Sequence, residues 1–155
     1  MKVDPGPAIH HILVLCEGNH CRGPMAEALL RSLLPPGFQV ESAGLEALEG
    51  RPADVEAQRL MAAQGLDISS HRGRQLTEEM ALKADLILVM DRPQKEWCER
   101  VMPSALGRIF LLGHWLPAPR REISDPYGMG TAAFNVAFEG IRESVADWLP
   151  RLTHR

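Results

Sequence analysis

The run Leu86-Ile87-Leu88-Val89-Met90 constrains the fold more than any other stretch of this chain. After Asp85 it holds no polar residue. A strand with one wet face alternates apolar and polar side chains, whereas an unbroken apolar run is what a parallel strand covered on both faces requires. Parallel strands need long crossovers, usually helices, and the rest of the chain supplies them. Strands are expected at 9–15, 38–42, 85–90 and 108–112. Helical periodicity occupies 24–34, 54–64, a short segment from Thr77, 93–101 and 131–152, the last broken at Pro150. Asp54 and Thr77 are the expected N-caps, and Pro35-Pro36-Gly37 and Gly65 are stop signals. Strand–helix alternation of this kind builds a three-layer α/β/α fold around a central four-stranded parallel sheet. In such sheets ligands bind beyond the carboxyl ends of the strands.

Composition excludes several function classes. At 155 residues the chain suits one domain, 1–155, with 1–8 as a loose polar lead-in containing Pro5, Gly6 and Pro7. Seventeen basic against twenty acidic residues leave a net charge of −3, which argues against a nucleic-acid partner. The apolar runs are too short to cross a bilayer, so no membrane insertion is expected. Three cysteines and no apparent signal peptide fit a reducing cytoplasm. No C-x-x-C or H-x-x-x-H spacing is present, and neither a metal nor a cofactor is expected.

Chemistry concentrates at 16–24, Cys-Glu-Gly-Asn-His-Cys-Arg-Gly-Pro, between the first strand and the first helix. Pro24 suits a first helical turn, where a missing N–H costs nothing. The loop therefore turns backbone N–H groups into a concavity at a helix N-terminus, a site for phosphate or sulfate. Gly18 permits a positive-φ turn and Asn19 tolerates one. Cys16 opens the loop and Arg22 closes it. A helix N-terminus and a cation favour thiolate, the nucleophilic form, and guanidinium matches two phosphate oxygens. The bare C-x5-R spacing also fits a buried cysteine with a nearby capping arginine. The strand before the loop and the helix after it favour phosphate chemistry.

The chain resembles the low-molecular-weight protein tyrosine phosphatases. Cys16 to Pro24 matches the signature C-x-G-N-x-C-R-[ST]-P, and Asp125-Pro126-Tyr127 matches the downstream acid segment. Val40-Glu41-Ser42-Ala43-Gly44, Ser70-His71-Arg72-Gly73-Arg74-Gln75-Leu76 and Asp85 to Met90 match in order between them. Leu111-Leu112-Gly113-His114-Trp115 and Glu122 to Tyr127 look most like the Gram-negative branch. That branch is associated with exopolysaccharide and capsule production and opposes a tyrosine autokinase. The resemblance implies a bacterial, cytoplasmic protein-tyrosine phosphatase with a phosphocysteine intermediate, acting on a phosphotyrosine protein such as a bacterial tyrosine kinase.

It also implies residue roles. Cys16 is the nucleophile, Arg22 and the loop from Glu17 through Gly23 hold phosphate, and Asp125 is the acid and base. By itself, Asp125-Pro126 reads first as a turn, and only the resemblance makes Asp125 catalytic. Ser42 and His71 support a left-handed Asn19. Cys21 is a redox partner of Cys16, or simply a small buried residue, and Cys98, mid-helix near Trp97, reads as core or incidental. Tyr127 forms one wall of a substrate pocket, with Glu17, His20, Leu45 and Leu48 on the opposite wall. Three positions depart from the pattern. Gly23 stands where Ser or Thr normally offers a hydroxyl to the thiolate, Glu17 puts a carboxylate at the mouth, and His20 replaces an aliphatic residue.

Other readings share the loop. Arsenate reduction needs two further redox cysteines, and only Cys98 is available. Phosphoarginine hydrolysis would suit Glu17, although relatives of that kind carry Thr at the position of His20. A low-turnover phosphoprotein-binding module would explain Gly23 but needs neither Cys16 nor Asp125.

Overall fold

A computed structural model describes residues 8–153. The expected lead-in, apart from Ala8, lies outside the described residues. Strands β1 (His11–Cys16), β2 (Gln39–Gly44), β3 (Leu86–Val89) and β4 (Ile109–Leu111) alternate with helices α1 (Arg22–Leu33), α2 (Val55–Ala63), α3 (Glu78–Lys83), α4 (Arg92–Val101) and α5 (Thr131–Thr153). A 3₁₀ turn at Pro103–Ala105, not anticipated from the sequence, leads into β4. The sheet is parallel throughout, in the order β2-β1-β3-β4.

Strand periodicity divides the core into two layers. Ile12, Val14, Leu86 and Leu88 face α1, α2 and α5, meeting Met25, Leu30, Met61, Phe138, Ile141 and Trp148. Leu13, Leu15, Ile87 and Val89 face α3 and α4, meeting Ala81, Ala84, Cys98 and Met102. This is the three-layer α/β/α arrangement, and the continuous apolar run of β3 follows from burial on both sides. Cys98 lies fully inside the second layer, and burial pushes its thiol up to about 12.

Helix boundaries follow local chemistry. Asp54 caps α2 by accepting from the Glu56 N–H, and Thr77 caps α3 by accepting from the Met80 N–H. Asp85, expected inside β3, instead precedes it and accepts from the N–H groups of His10 and His11, which ties down the start of β1. Helix α5 continues through Pro150 rather than breaking there. Proline in the closing turn removes only one helical hydrogen bond, and buried Trp148 and Leu152 hold the helix on either side.

The order of the sheet matters for the site. From β1 the chain moves outward to β2, and then returns past β1 to β3. The carboxyl ends of β1 and β3 are therefore adjacent at the point where the winding reverses, where open α/β sheets hold ligands.

Candidate active site

The segment between β1 and α1 is fastened from outside through its carbonyls. The carbonyls of Cys16, Glu17, Gly18 and His20 accept from the N–H groups of Leu45, Glu46, Leu48 and Asp54 at 2.8–3.0 Å. The Asn19 carbonyl accepts from His71 Nε2 at 2.8 Å, and since a carbonyl can only accept, that nitrogen carries the proton. With the carbonyls turned outward, N–H groups of the loop point inward. Those of Gly23, Asn19 and His20 face Cys16 Sγ, with Gly23 N at 3.3 Å. The result is a ring of donors at the start of α1 that suits a tetrahedral oxyanion.

Asn19 holds the curvature. It adopts φ 52°, the one positive φ outside glycine among the described residues. Its side chain donates to Ser42 Oγ at 2.9 Å and accepts from the Arg74 N–H at 2.8 Å. Ser42 in turn donates to Glu27 at 2.5 Å. Ser42 and His71 thus both reach Asn19, whereas Arg74 and Glu27 were not legible as supports. Gly44 has a packing reason: a Cβ there would stand 2.9 Å from both Asn19 N and Glu17 O.

Arg22 is buried, yet its guanidinium is oriented from distant segments. Nη1 donates to the Ile123 carbonyl at 2.7 Å and lies 3.7 Å from Asp91. Nη2 lies 3.6 Å from Asp125. Asp91, in the short turn from β3 to α4, was not singled out from the sequence. It also caps α4 through the Gln94 N–H, and an acidic residue just past the apolar run of a neighbouring strand was the available signal. Asp125 sits at the mouth with its side chain 45% exposed, and its Oδ1 accepts from the Tyr127 N–H.

The electrostatics at Cys16 are a competition. Burial pushes its thiol up, while Arg22 and the N–H groups of Gly23, Asn19 and His20 pull it down, and burial prevails. Gly23 contributes a backbone donor but no hydroxyl. Gly23→Ser is expected to lower the Cys16 pKa by about one unit, read from the pH dependence of alkylation, with a matching rise in rate of roughly tenfold. The gain is held to that level because the new Cβ would stand 3.0 Å from Cys16 Sγ, so the sulfur must shift by a few tenths of an ångström. An unchanged or higher pKa would show that the Gly23 N–H already suffices.

The mouth differs from the expected pair of walls. The His20 and Tyr127 rings meet edge to face with centroids 5.4 Å apart, too close to admit an aromatic ring between them. They form one wall, not two. Leu48 packs against Gly18. Beside them, Glu17 and Leu45 line a hollow of about 300 Å³ with Glu46, Asp91 and Trp97, the last another residue the sequence did not single out. Burial and Glu46 push the Glu17 carboxyl up, with Arg22 opposing. Cys21 is buried beside Asp54, and both raise its thiol.

Known proteins share the fold and much of the sequence. The family model for low molecular weight phosphotyrosine protein phosphatase matches residues 11–155. A probable low molecular weight protein-tyrosine-phosphatase, EpsP of Ralstonia nicotianae, is 48% identical over 93% of this chain and 97% of its own. The tyrosine phosphatase Wzb from Escherichia coli K30, solved with sulphate, superposes with a TM-score of 0.87 at 40% identity, covering 93% of this chain and 99% of that one. The arginine phosphatase YwlE from Geobacillus stearothermophilus superposes with a TM-score of 0.85 at 31% identity, covering 92% of each. The family model and the whole-chain similarity agree: the chain belongs to the low molecular weight phosphotyrosine protein phosphatase family.

Proposed function

We propose that Cys16 is the nucleophile, Arg22 the phosphate clamp and Asp125 the general acid and base in hydrolysis of phosphotyrosine on proteins. The Cys16 thiolate attacks phosphorus, the bond to the phenolic oxygen breaks, and Asp125 gives that oxygen its proton. Asp125 then takes a proton from water, whose oxygen displaces the thiolate and releases phosphate. The observation that carries this reading is a single one: a cysteine sulfur within a ring of N–H groups, beside an arginine already oriented by Ile123 and Asp125. Positioning and charge stabilisation supply most of the rate in phosphoryl transfer, so an arginine held in advance is the costly part already in place.

The physiological reading follows the relatives. We infer a cytoplasmic enzyme that opposes a bacterial tyrosine kinase in exopolysaccharide production. No helix among the described residues is long and apolar enough to cross a membrane. Reversible pairing of Cys16 with Cys21 as protection from over-oxidation remains part of this proposal. Both cysteines are free and buried.

Substrate choice is the discriminating experiment. Para-nitrophenyl phosphate, phosphotyrosine peptides and phosphoarginine are compared on wild type and Cys16→Ser. Preference for phosphotyrosine supports the reading, and preference for phosphoarginine overturns it in favour of an arginine phosphatase. Binding without turnover in wild type would make the chain a phosphoprotein-binding module. Arsenate reduction has no support, since Cys98 is enclosed within the core.

Glu17 has its own consequence. It is exposed at the mouth and acts together with Glu46, Asp91 and Asp125. Glu17→Gln is expected to raise kcat/KM for acidic phosphopeptides by about three- to fivefold at low ionic strength, with the gain fading in high salt. The Glu17 carboxyl is shifted upward, so it takes up a proton at a higher pH than an ordinary glutamate. Its repulsion, and hence the difference between variant and wild type, shrinks as pH falls.

A further inference from the structure

We propose that His20, Cys21 and Asp54 form a binding site for a divalent metal of borderline softness, with Zn(II) the best match. One nitrogen, one sulfur and one oxygen from these residues all lie within 4.8 Å of one another. The set is invisible as a spacing, because Asp54 comes from the start of α2 and the other two from the anion loop. Folding joins the segments through the Asp54 N–H, which donates to the His20 carbonyl at 3.0 Å.

The geometry favours an ion over a simple hydrogen bond. His20 Nε2 and Asp54 Oδ2 are 3.4 Å apart. That is long for a hydrogen bond, but two ligands on one tetrahedral Zn(II), at bond lengths near 2.0–2.1 Å, stand roughly 3.4 Å apart. His20 Nδ1 is buried without a hydrogen-bond partner among the described residues, so neither ring nitrogen is committed elsewhere. The Asp54 carboxylate, by contrast, is oriented. Its Oδ1 accepts from the Glu56 N–H at 2.9 Å, which turns Oδ2 toward His20 and supplies the outer support that ligands need.

The chemistry of the donors selects the class of metal. A thiolate, an imidazole and a carboxylate suit Zn(II) or Co(II), whereas Mg(II) and Ca(II) prefer all-oxygen sets. Cysteine binds a metal as thiolate, and a free cysteine is mostly thiol at neutral pH. Binding therefore forms a metal–sulfur bond, breaks the S–H bond and releases one proton to solvent. Thiolate and carboxylate together balance the two positive charges. The His20 and Asp54 side chains are 14% and 19% exposed, so the cluster is not sealed from solvent.

The test uses the full chain with Zn(II) and Co(II) as probes. Calorimetry in buffers of different ionisation enthalpy is expected to give one Zn(II) bound and one proton released, reversed by EDTA. Co(II) is expected to give a thiolate charge-transfer band. That band should vanish in Cys21→Ser and persist in Cys16→Ser. His20→Gln and Asp54→Asn should each weaken binding at least tenfold. Asparagine keeps the oxygen that caps α2, so Asp54→Asn tests the site in a folded chain even if Cys21→Ser unfolds. A band lost in Cys16→Ser but kept in Cys21→Ser would overturn the proposal. So would unchanged affinity in Asp54→Asn, or no stoichiometric binding of either metal.

Discussion

Cys16→Ser is expected to abolish turnover, by about 10⁴-fold or more, while the loop still binds phosphate or sulfate. Losing four decades of rate corresponds to roughly 5.5 kcal/mol of barrier. A serine hydroxyl is a far poorer nucleophile than a thiolate and stays weak at its ordinary pKa. The anion site itself depends on other groups. The N–H groups of Gly23, Asn19 and His20 and the Arg22 guanidinium are untouched by the exchange. The outward hydrogen bonds from Leu45, Glu46, Leu48 and Asp54 keep the loop in shape regardless of the atom at Cys16 Sγ. Para-nitrophenyl phosphate turnover and sulfate titration on the same variant separate the two effects. Turnover comparable to wild type would remove Cys16 from its role. Loss of both properties would mean that the sulfur also builds the cradle.

Asp125→Asn is expected to lower the rate by about 10²- to 10⁴-fold for poor leaving groups and by much less in the first step for activated aryl phosphates. A general acid matters in proportion to the basicity of the oxygen that departs. The exchange is a clean probe of proton transfer. An asparagine oxygen can still accept from the Tyr127 N–H, so the turn that presents residue 125 is retained. A leaving-group series, read by steady-state and burst kinetics, provides the measurement. An equal loss across the series would show that Asp125 acts only through charge, 3.6 Å from Arg22.

The local signals proved dependable where neighbours along the chain were enough to set the outcome. Asp54 and Thr77 cap helices because the N–H groups they satisfy are two and three residues away. The apolar run of β3 is apolar because both faces are covered. Asn19 takes the left-handed turn that Asn tolerates at low cost. Pro150 shows the limit of such reasoning, since packing of Trp148 and Leu152 carries α5 through a residue that would otherwise end it.

The site is different in kind. The residues of the loop could be read in order, but the groups that orient them come from elsewhere. Arg22 is held by a carbonyl 101 residues away. Asp91 reaches it only because β3 lies beside β1 in the sheet. Asn19 is fastened by Arg74 and, through Ser42, by Glu27. His20 meets Tyr127 across a gap that a pattern of variable positions would have left open. Spacing along the chain reports what a residue can touch within a turn or two of helix or strand. Contacts across the mouth depend on strand order and on where each crossover returns, which are settled by burying both faces of the sheet at once. The anion loop was therefore legible in nine consecutive residues, while the direction of Arg22, the shape of the mouth and the cluster at His20, Cys21 and Asp54 exist only once those faces are packed.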